Sequence, residues 1–178
     1  MSKSHRFQFT SAGSNVGSGV ILWNQRQTDE HLLLIHTGAS GDGKTELDGE
    51  DDAAWWNWGS NYRMPFRVEM EKLFSTEYTD GGVWTDDYNG SGVAGYVISG
   101  KAGTAYENNS IFLLAAGCGR ENGIYGKNRI ARYWTMSYSQ AIAARCLDFD
   151  KDGVLHKSRL RYYGFTIRPI ASWDYQGN

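Results

Sequence analysis

The chain has 178 residues, of which 40% are apolar and 21% charged, and its formal net charge is −2. This length and apolar fraction suit one domain with a hydrophobic core and exclude a largely disordered chain, while the small net charge gives no overall attraction to nucleic acid or to anionic membranes. No apolar run approaches the roughly 18 residues of a membrane span, and we expect no signal peptide, since no apolar segment follows the first residues. The two cysteines are too few for a disulfide scaffold or a four-thiolate zinc site.

The first half of the chain contains two apolar runs and an acidic segment. Residues 20–23 (VILW) predict a short strand, and residues 32–35 (LLLI) form a second run that ends in a glycine-rich loop. We expect the acidic segment 46–52 to be solvated. Three tryptophans follow within residues 55–58, which is an unusual concentration of aromatic area.

One amphipathic helix is predicted over residues 65–75. Pro65 suits the first turn of a helix. The apolar residues behind it recur at positions i, i+4, i+7 and i+8, and therefore form one face: Phe66, Met70, Leu73 and Phe74. Charged residues cover the opposite side.

The remainder of the chain has the pattern of short strands. The turn at residues 150–153 is rich in Asp and Gly and predicts a hairpin. Several short strands with one clear helix indicate the α+β class rather than a doubly wound parallel sheet. Without a repeat or a linker, residues 1–178 are predicted to form one domain. The predicted strands are 95–99, 110–116, 133–137, 144–149 and 163–168.

The sharpest enzymatic motif is a match to the phosphate loop G-x-x-x-x-G-K-[ST], formed by Gly38, Gly43, Lys44 and Thr45. In such a loop the backbone amides surround the phosphates, the lysine contacts the β and γ oxygens, and the threonine binds magnesium. A working loop opens onto a helix, whereas a glycine and further acidic residues follow here, and the chain lacks alternating strands and helices. A nucleotide-binding enzyme is therefore the alternative function and not the favoured one.

Other candidate chemistry is weaker. Residues 148–153 resemble the start of a calcium-binding EF-hand loop, but Arg159 stands where the bidentate glutamate belongs, so we expect a hairpin turn. The histidines have no metal-ligand spacing, and we predict no metal and no cofactor. Cys118 and Cys146 have no activating base nearby in sequence, and small, partly buried thiols are expected.

Ordered blocks from residue 61 onward resemble a known family. Residues 61–65 (NYRMP), followed by Glu69 and Leu73, resemble its W-R-M-P-T-x-x-E-[FW]-x-E-L signature, and residues 109–117 (NSIFLLAAG) resemble its NSIFLPAAG stretch. Residues 161–169 (RYYGFTIRP) resemble RYYGFSVRPV. Together with YWTMS at 133–137, these blocks resemble the Fibrobacter succinogenes major paralogous domain of gut Bacteroidetes and their phages.

The resemblance implies a C-type lectin-like fold of short antiparallel strands with one or two helices. The same fold occurs in variable proteins of diversity-generating retroelements, in which an error-prone reverse transcriptase rewrites adenines in one C-terminal cassette. Residues 117–169 would then be the variable, ligand-binding part, with Cys118 as a varied surface position, whereas residues 1–54 match poorly. Phe66 replaces the helix-capping threonine of the family, so that side-chain acceptor is expected to be missing. The motifs of calcium-dependent sugar binding, and the cysteine motif of the formylglycine-generating enzymes of this fold, do not occur.

We therefore expect a ligand- or receptor-binding protein at a cell or virion surface, and not an enzyme. Its partner would be a protein or a glycan, with no nucleic acid and no membrane insertion, and its oligomeric state is left open. A structural surface or fimbrial module is a further alternative. Trp134, Phe149 and Phe165 are expected in the core. The predicted contact residues, chosen because tyrosine and arginine dominate binding surfaces, are Arg120, Glu121, Ile124, Tyr125, Lys127, Arg129, Arg132, Tyr138, Gln140, Arg145, His156, Arg159 and Arg161.

Overall fold

The computed structural model describes residues 20–22, 46–47, 51–120, 123–140, 143–161 and 163–171. Over these residues the chain is mostly strand with two short helices, so the predicted α+β class is confirmed. The elements are β1 (Val20–Leu22), α1 (Ala53–Trp58), β2 (Tyr62–Arg63), α2 (Arg67–Lys72), β3 (Val83–Thr85), β4 (Gly95–Ser99), β5 (Ser110–Leu114), β6 (Cys118–Arg120), β7 (Gly123–Tyr125), β8 (Ile130–Gln140), β9 (Ala143–Asp150), β10 (Gly153–Leu160), β11 (Gly164–Thr166) and β12 (Ile170–Ala171).

The described strands form one large sheet and two small ones. The large sheet has the order β10-β9-β8-β11-β6-β7, and β1 pairs with β11 as well. Its strand pairs are antiparallel except β8 with β11, which meet in parallel at Tyr133 and Thr166. Strands β3, β4 and β5 form an antiparallel sheet, and β2 pairs with β12.

The β8–β9 hairpin forms the central layer of the molecule and is buried on both faces. Trp134 lies opposite Cys146 on one face, and Tyr133 lies opposite Leu147 on the other. Successive side chains of a strand point to opposite faces, so a strand covered on both sides needs consecutive apolar residues. One core therefore packs around Trp134 and a second around Phe149.

Helix α1 begins at a buried aspartate. The Asp52 carboxylate accepts hydrogen bonds from the amides of Ala54 (2.6 Å) and Trp55 (3.3 Å), and from the Met64 amide beyond the helix (2.7 Å). Its side chain is 1% exposed. The expectation that segment 46–52 is solvated is therefore wrong for Asp52, because three backbone N–H groups compensate its burial, and for Leu47, which packs in the core around Trp134.

Helix α2 lies where a helix is predicted but is shorter than residues 65–75. Phe66 supplies no side-chain cap, as expected, and the Glu69 carboxylate instead accepts from the Phe66 amide at 2.7 Å. Beyond Lys72 the amides of Phe74 and Ser75 bond to carbonyls three residues back, as in a tightened last turn. The predicted apolar face is confirmed for Met70, Leu73 and Phe74, which pack in or against the second core, whereas Phe66 precedes the helix and packs against the core around Trp134.

The five predicted strands are confirmed, whereas β10, with eight residues, was predicted only as the second strand of the hairpin, and several short strands were missed. The prediction of 95–99 matches β4, while β8 and β9 extend beyond their predicted bounds and β5 and β11 are shorter. The predicted hairpin at 150–153 is confirmed, since Asp150 pairs with Gly153. The strand at 20–23 is confirmed as far as residue 22, whereas run 32–35 and the loop 38–45 lie outside the described residues. In the described part of the chain, no helix has the length and apolarity needed to cross a membrane.

Candidate functional site

The predicted contact residues differ widely in exposure. Half-buried side chains belong to Arg132, Tyr138, Arg145, His156, Arg159 and Arg161, whereas Arg120, Ile124, Tyr125, Lys127, Arg129 and Gln140 are exposed. Glu121 lies outside the described residues. Five of the six exposed residues fall in one stretch formed by Arg120 and residues 123–129, which we call the β6–β7 edge. It carries two exposed apolar side chains, Ile124 (43%) and Tyr125 (54%).

Close backbone contacts hold the β6–β7 edge against the sheet. Gly117, with φ of +82°, comes so close to the Tyr125 carbonyl that a Cβ atom would overlap it. The Gly117 amide also donates to the Ile130 carbonyl at 2.9 Å. At the turn into β8, the Asn128 amide donates to the Ala115 carbonyl (2.7 Å) and its side chain to the Gly92 carbonyl (2.9 Å). The turn is thus fixed by backbone acceptors from two other segments.

A stack of aromatic rings connects the core to Arg120. Trp134 and Phe165 stack with ring centroids 4.2 Å apart, and Tyr163 stacks on Phe165 at 6.0 Å. The Arg120 guanidinium lies 4.8 Å from the centroid of the Tyr163 ring, as in a cation–π contact. Trp134 and Phe165 are fully buried and Phe149 nearly so, which confirms the predicted core residues. Arg120 is therefore an exposed cation on a rigid support.

Beside this stack, one carboxylate holds two arginines. Arg159 donates to Asp148 Oδ2 through Nε at 3.1 Å and through Nη2, and Arg132 Nε lies 3.3 Å from the same oxygen. Arg132 also donates to the Cys118 sulfur at 3.1 Å and has a side chain only 13% exposed. The cluster carries one more positive than negative charge. Arg159, at 31% exposure, offers more surface to a partner than Arg132 does.

The cysteines are buried thiols. Cys118 is 1% exposed, so its assignment as a varied surface position is wrong. Its side chain packs in the core around Trp134, because β6 lies within the large sheet between β11 and β7. Burial, with a smaller contribution from Asp148, raises the pKa of the Cys146 thiol to about 12. Cys146 is therefore protonated at neutral pH and a poor nucleophile.

Other predicted contact residues lie away from this cluster. The strand alternation places Arg145 and His156 on the Leu147 face, opposite Asp148. There Arg145 donates to the Ser158 hydroxyl at 3.0 Å. Burial beside helix α2 lowers the pKa of His156. The sheet thus separates the predicted set into two groups that cannot contact one ligand patch together.

Tyr138, Gln140 and Arg161 lie at the far end of the large sheet. Tyr138 pairs in register with Ala144, and Gln140 is exposed at the end of β8. Burial lowers the pKa of the Arg161 guanidinium, and nearby Tyr138 opposes this shift. These residues form a third group, in which Tyr138 and Arg161 are half-buried and Gln140 is exposed.

Positively and negatively charged residues are distributed unevenly along the chain, which the net charge of −2 does not reveal. Residues 117–169 contain ten Lys and Arg against four Asp and Glu, whereas the rest of the chain contains eight against sixteen. The segment is thus +6 and the remainder −8. A count by segment would have indicated a basic surface from the sequence alone.

The described residues contain no group of three or more His, Cys, Asp or Glu that could hold a metal ion. In the EF-hand-like segment, Asp148 binds arginines, and Asp150 accepts from the Asp152 amide at 2.9 Å, as in an Asx turn. The phosphate-loop match at 38–45 lies outside the described residues, so the nucleotide-binding alternative stays a prediction.

Comparison with known proteins identifies no relative. No protein-family model matches the chain, and neither a curated protein nor a solved structure matches it. A functional assignment therefore has to rest on the residues of this chain.

Proposed function

We propose that the protein is a binding module that displays a variable C-terminal surface on a C-type lectin-like scaffold. Its partner would be a protein or glycan at a cell or virion surface, contacted by residues of segment 117–169. One observation carries this proposal: exposed tyrosine, isoleucine, lysine and arginine side chains are concentrated on the β6–β7 edge, which buried residues hold in place.

The composition of the edge supports a role in recognition. Ile124 and Tyr125 expose apolar surface beside the cations Arg120, Lys127 and Arg129. Aromatic residues and arginines contribute most of the energy in many protein interfaces, and an exposed apolar patch rimmed by polar groups is typical of an interaction site. The positive charge of segment 117–169 favours an acidic partner surface.

The proposal has a physical basis because the residues that stabilise the fold differ from the exposed residues that would contact a partner. Trp134 and Phe165 lie inside, while Arg120 contacts their stack through Tyr163 from outside. An exposed side chain changes stability by about 0.5 kcal/mol or less when it is replaced, unlike a core residue. The edge can therefore change its chemistry without changing the fold.

Two libraries test this display function. The first randomises the five exposed residues of the β6–β7 edge, and the matched control randomises five buried residues of β8 and β9. We expect most members of the first library to unfold cooperatively near the wild-type temperature, and selection on immobilised ovalbumin, an acidic protein, to yield binders. Widespread loss of folding in the first library would mean that these positions are structural and would end the proposal. The randomised edge positions are Arg120, Ile124, Tyr125, Lys127 and Arg129, and the control positions are Ala131, Tyr133, Trp134, Leu147 and Phe149.

The retroelement origin has a separate test. Sequencing of the DNA beside the gene should find a reverse transcriptase gene and a near-copy of the codons for residues 117–169 that differs mainly at adenines. A gene with no such copy nearby would contradict the retroelement origin while leaving the binding function to the library experiment.

A further inference from the structure

A cavity of about 400 Å³ lies between the end of α2, strand β4 and the loop from β4 to β5. Leu73, Ile98 and Ile111 supply aliphatic lining. Tyr78 and Tyr106 supply aromatic lining, and their rings meet edge to face with centroids 6.5 Å apart. Small-molecule sites have volumes of roughly 300 to 1,000 Å³ and a mainly apolar lining. No lining residue belongs to segment 117–169, so this cavity is separate from the binding surface proposed above.

Hydrogen bonds preform the cavity. The Thr79 hydroxyl donates to the Leu73 carbonyl at 2.8 Å, which holds the segment after α2 against the end of that helix. The Gly100 amide donates to the Asn109 carbonyl at 2.8 Å, which folds the loop back on β4. Any side chain at Gly100 would overlap the Tyr106 carbonyl, so the loop can close only over a glycine. The loop therefore places Tyr106, which is 53% exposed, at the cavity.

The charge at the cavity is positive. Lys72 is the charged residue among those that line it, and it forms no salt bridge with the described residues. The Glu69 carboxylate, three residues before Lys72 on the same helix, forms its salt bridge with Arg63 at 2.6 Å. An anionic group at the mouth of the cavity would meet an ammonium group that has no salt-bridge partner among the described residues.

We propose that this cavity binds a small amphiphilic carboxylate. Its apolar body packs against the Leu, Ile and Tyr lining, and its carboxylate pairs with Lys72. The side chains of Asn109 and Ser110 line the cavity, form no hydrogen bond with the described residues, and add donors for the carboxylate. An amine would bring a second cation to Lys72. A sugar would leave hydroxyl groups facing aliphatic side chains, where they lose hydrogen bonds to water.

Three probes with one apolar body test the proposal: phenylpropionate, phenylpropanol and phenylpropylamine. Each is titrated into the isotope-labelled full chain, and amide chemical shifts are recorded. We expect phenylpropionate to shift the amides of residues 78–79 and 98–111 and to bind about three- to fivefold more tightly than the alcohol, the size of effect typical of one partly exposed ion pair. The amine should bind more weakly than both.

Single substitutions test which residues bind the probes. Lys72→Met keeps the length of the side chain and should remove the preference for the carboxylate, whereas Lys127→Met, on the β6–β7 edge, should leave it unchanged. Tyr106→Ala should weaken all three probes. Equal affinity for acid and amine, shifts confined to segment 117–169, or no binding by any probe would each overturn the proposal. Because Lys72 lies outside the β6–β7 edge, failure here is distinguishable from failure of the display function.

Discussion

At the scale of single residues, two buried aspartates join segments that are distant along the chain. Asp52 binds the start of α1 and the Met64 amide, and Asp148 on β9 binds Arg132 of β8 and Arg159 of β10. A buried carboxylate is tolerated only where donors surround it, so each of these residues fixes the positions of its neighbours. Removing either carboxylate leaves donors in the interior without acceptors.

Asp52→Ala is expected to destabilise the fold strongly. The change removes the cap of α1, a loss of about 0.5 to 2 kcal/mol, and leaves the Met64 amide without its acceptor, a further loss of about 1 to 3 kcal/mol. Chemical denaturation should show the sum as a lower unfolding midpoint with an unchanged slope. Asp152→Ala is the matched control, since Asp152 is exposed and its ion pair with Lys151 contributes little. Equal effects of the two substitutions would contradict the assigned role of Asp52.

The same residue gives a dependence on pH. Burial raises the pKa of Asp52, and its amide donors only partly oppose this shift. A carboxyl with a raised pKa in the folded state contributes most to stability at low pH, and this contribution is lost as the pH rises through that pKa. The stability difference between wild type and Asp52→Asn should therefore shrink with rising pH in the acidic range.

At the scale of elements, the apolar pattern predicted β4, β8 and β9, but it missed the length of β10 and the short strands fixed by tertiary contacts. Strands β4, β8 and β9 contain adjacent apolar residues, such as Tyr133 and Trp134 in β8, which point to opposite faces and so mark strands covered on both faces. Helix α1 has only six residues, three of them tryptophan, and depends on Asp52 and on the distant Met64 amide. The contact between Asp52 and the distant Met64 amide cannot be recognised from a local sequence pattern.

The candidate site was predictable in part for the same reason. The exposed residues of its β6–β7 edge have types typical of recognition surfaces and could be found from the sequence. The face on which each strand residue lies could not be predicted from the sequence. Arg145 and His156 lie on the opposite face from Asp148, and Cys118 lies inside. A shift of one position along a strand reverses the face of a side chain.

Gly117→Ala should loosen the β6–β7 edge. Gly117 has a positive φ, and its added Cβ would overlap the Tyr125 carbonyl, so we expect a loss of about 2 to 3 kcal/mol from backbone strain and displacement. The loss would be measured by chemical denaturation, and local loosening by hydrogen exchange of the residues in β7.

Gly123→Ala provides the control on the same edge. Gly123 has no atom within 4 Å of an added Cβ and no positive φ, so alanine should be neutral or stabilise by up to about 0.5 kcal/mol. Similar losses for the two alanine variants, or unchanged exchange in β7 of Gly117→Ala, would show that Gly117 does not hold the edge.

At the scale of the whole molecule, charge and architecture coincide. The segment that forms β6 to β11 holds the positive surplus, while the rest of the chain holds the negative one. We expect the exposed cations of the β6–β7 edge to orient the molecule toward an acidic surface even though its net charge is negative, because the local field governs approach within about 10 Å at moderate salt.

Because positive residues are concentrated in segment 117–169, we expect the protein to bind a negatively charged resin although its own net charge is negative. At neutral pH and low salt the protein should be retained on a sulfonate cation exchanger and should elute at about 0.15 M salt, where screening shortens the range of the interaction. Replacing Lys127 and Arg129 with glutamine should abolish retention, whereas replacing Lys72 and Lys101, exposed cations outside segment 117–169, should lower it only slightly although the net charge changes equally. Because both double variants carry the same net charge, a difference between them can come only from where the charges lie. Passage of the wild type straight through the column, or equal behaviour of the two variants, would show that the basic residues do not act as one surface.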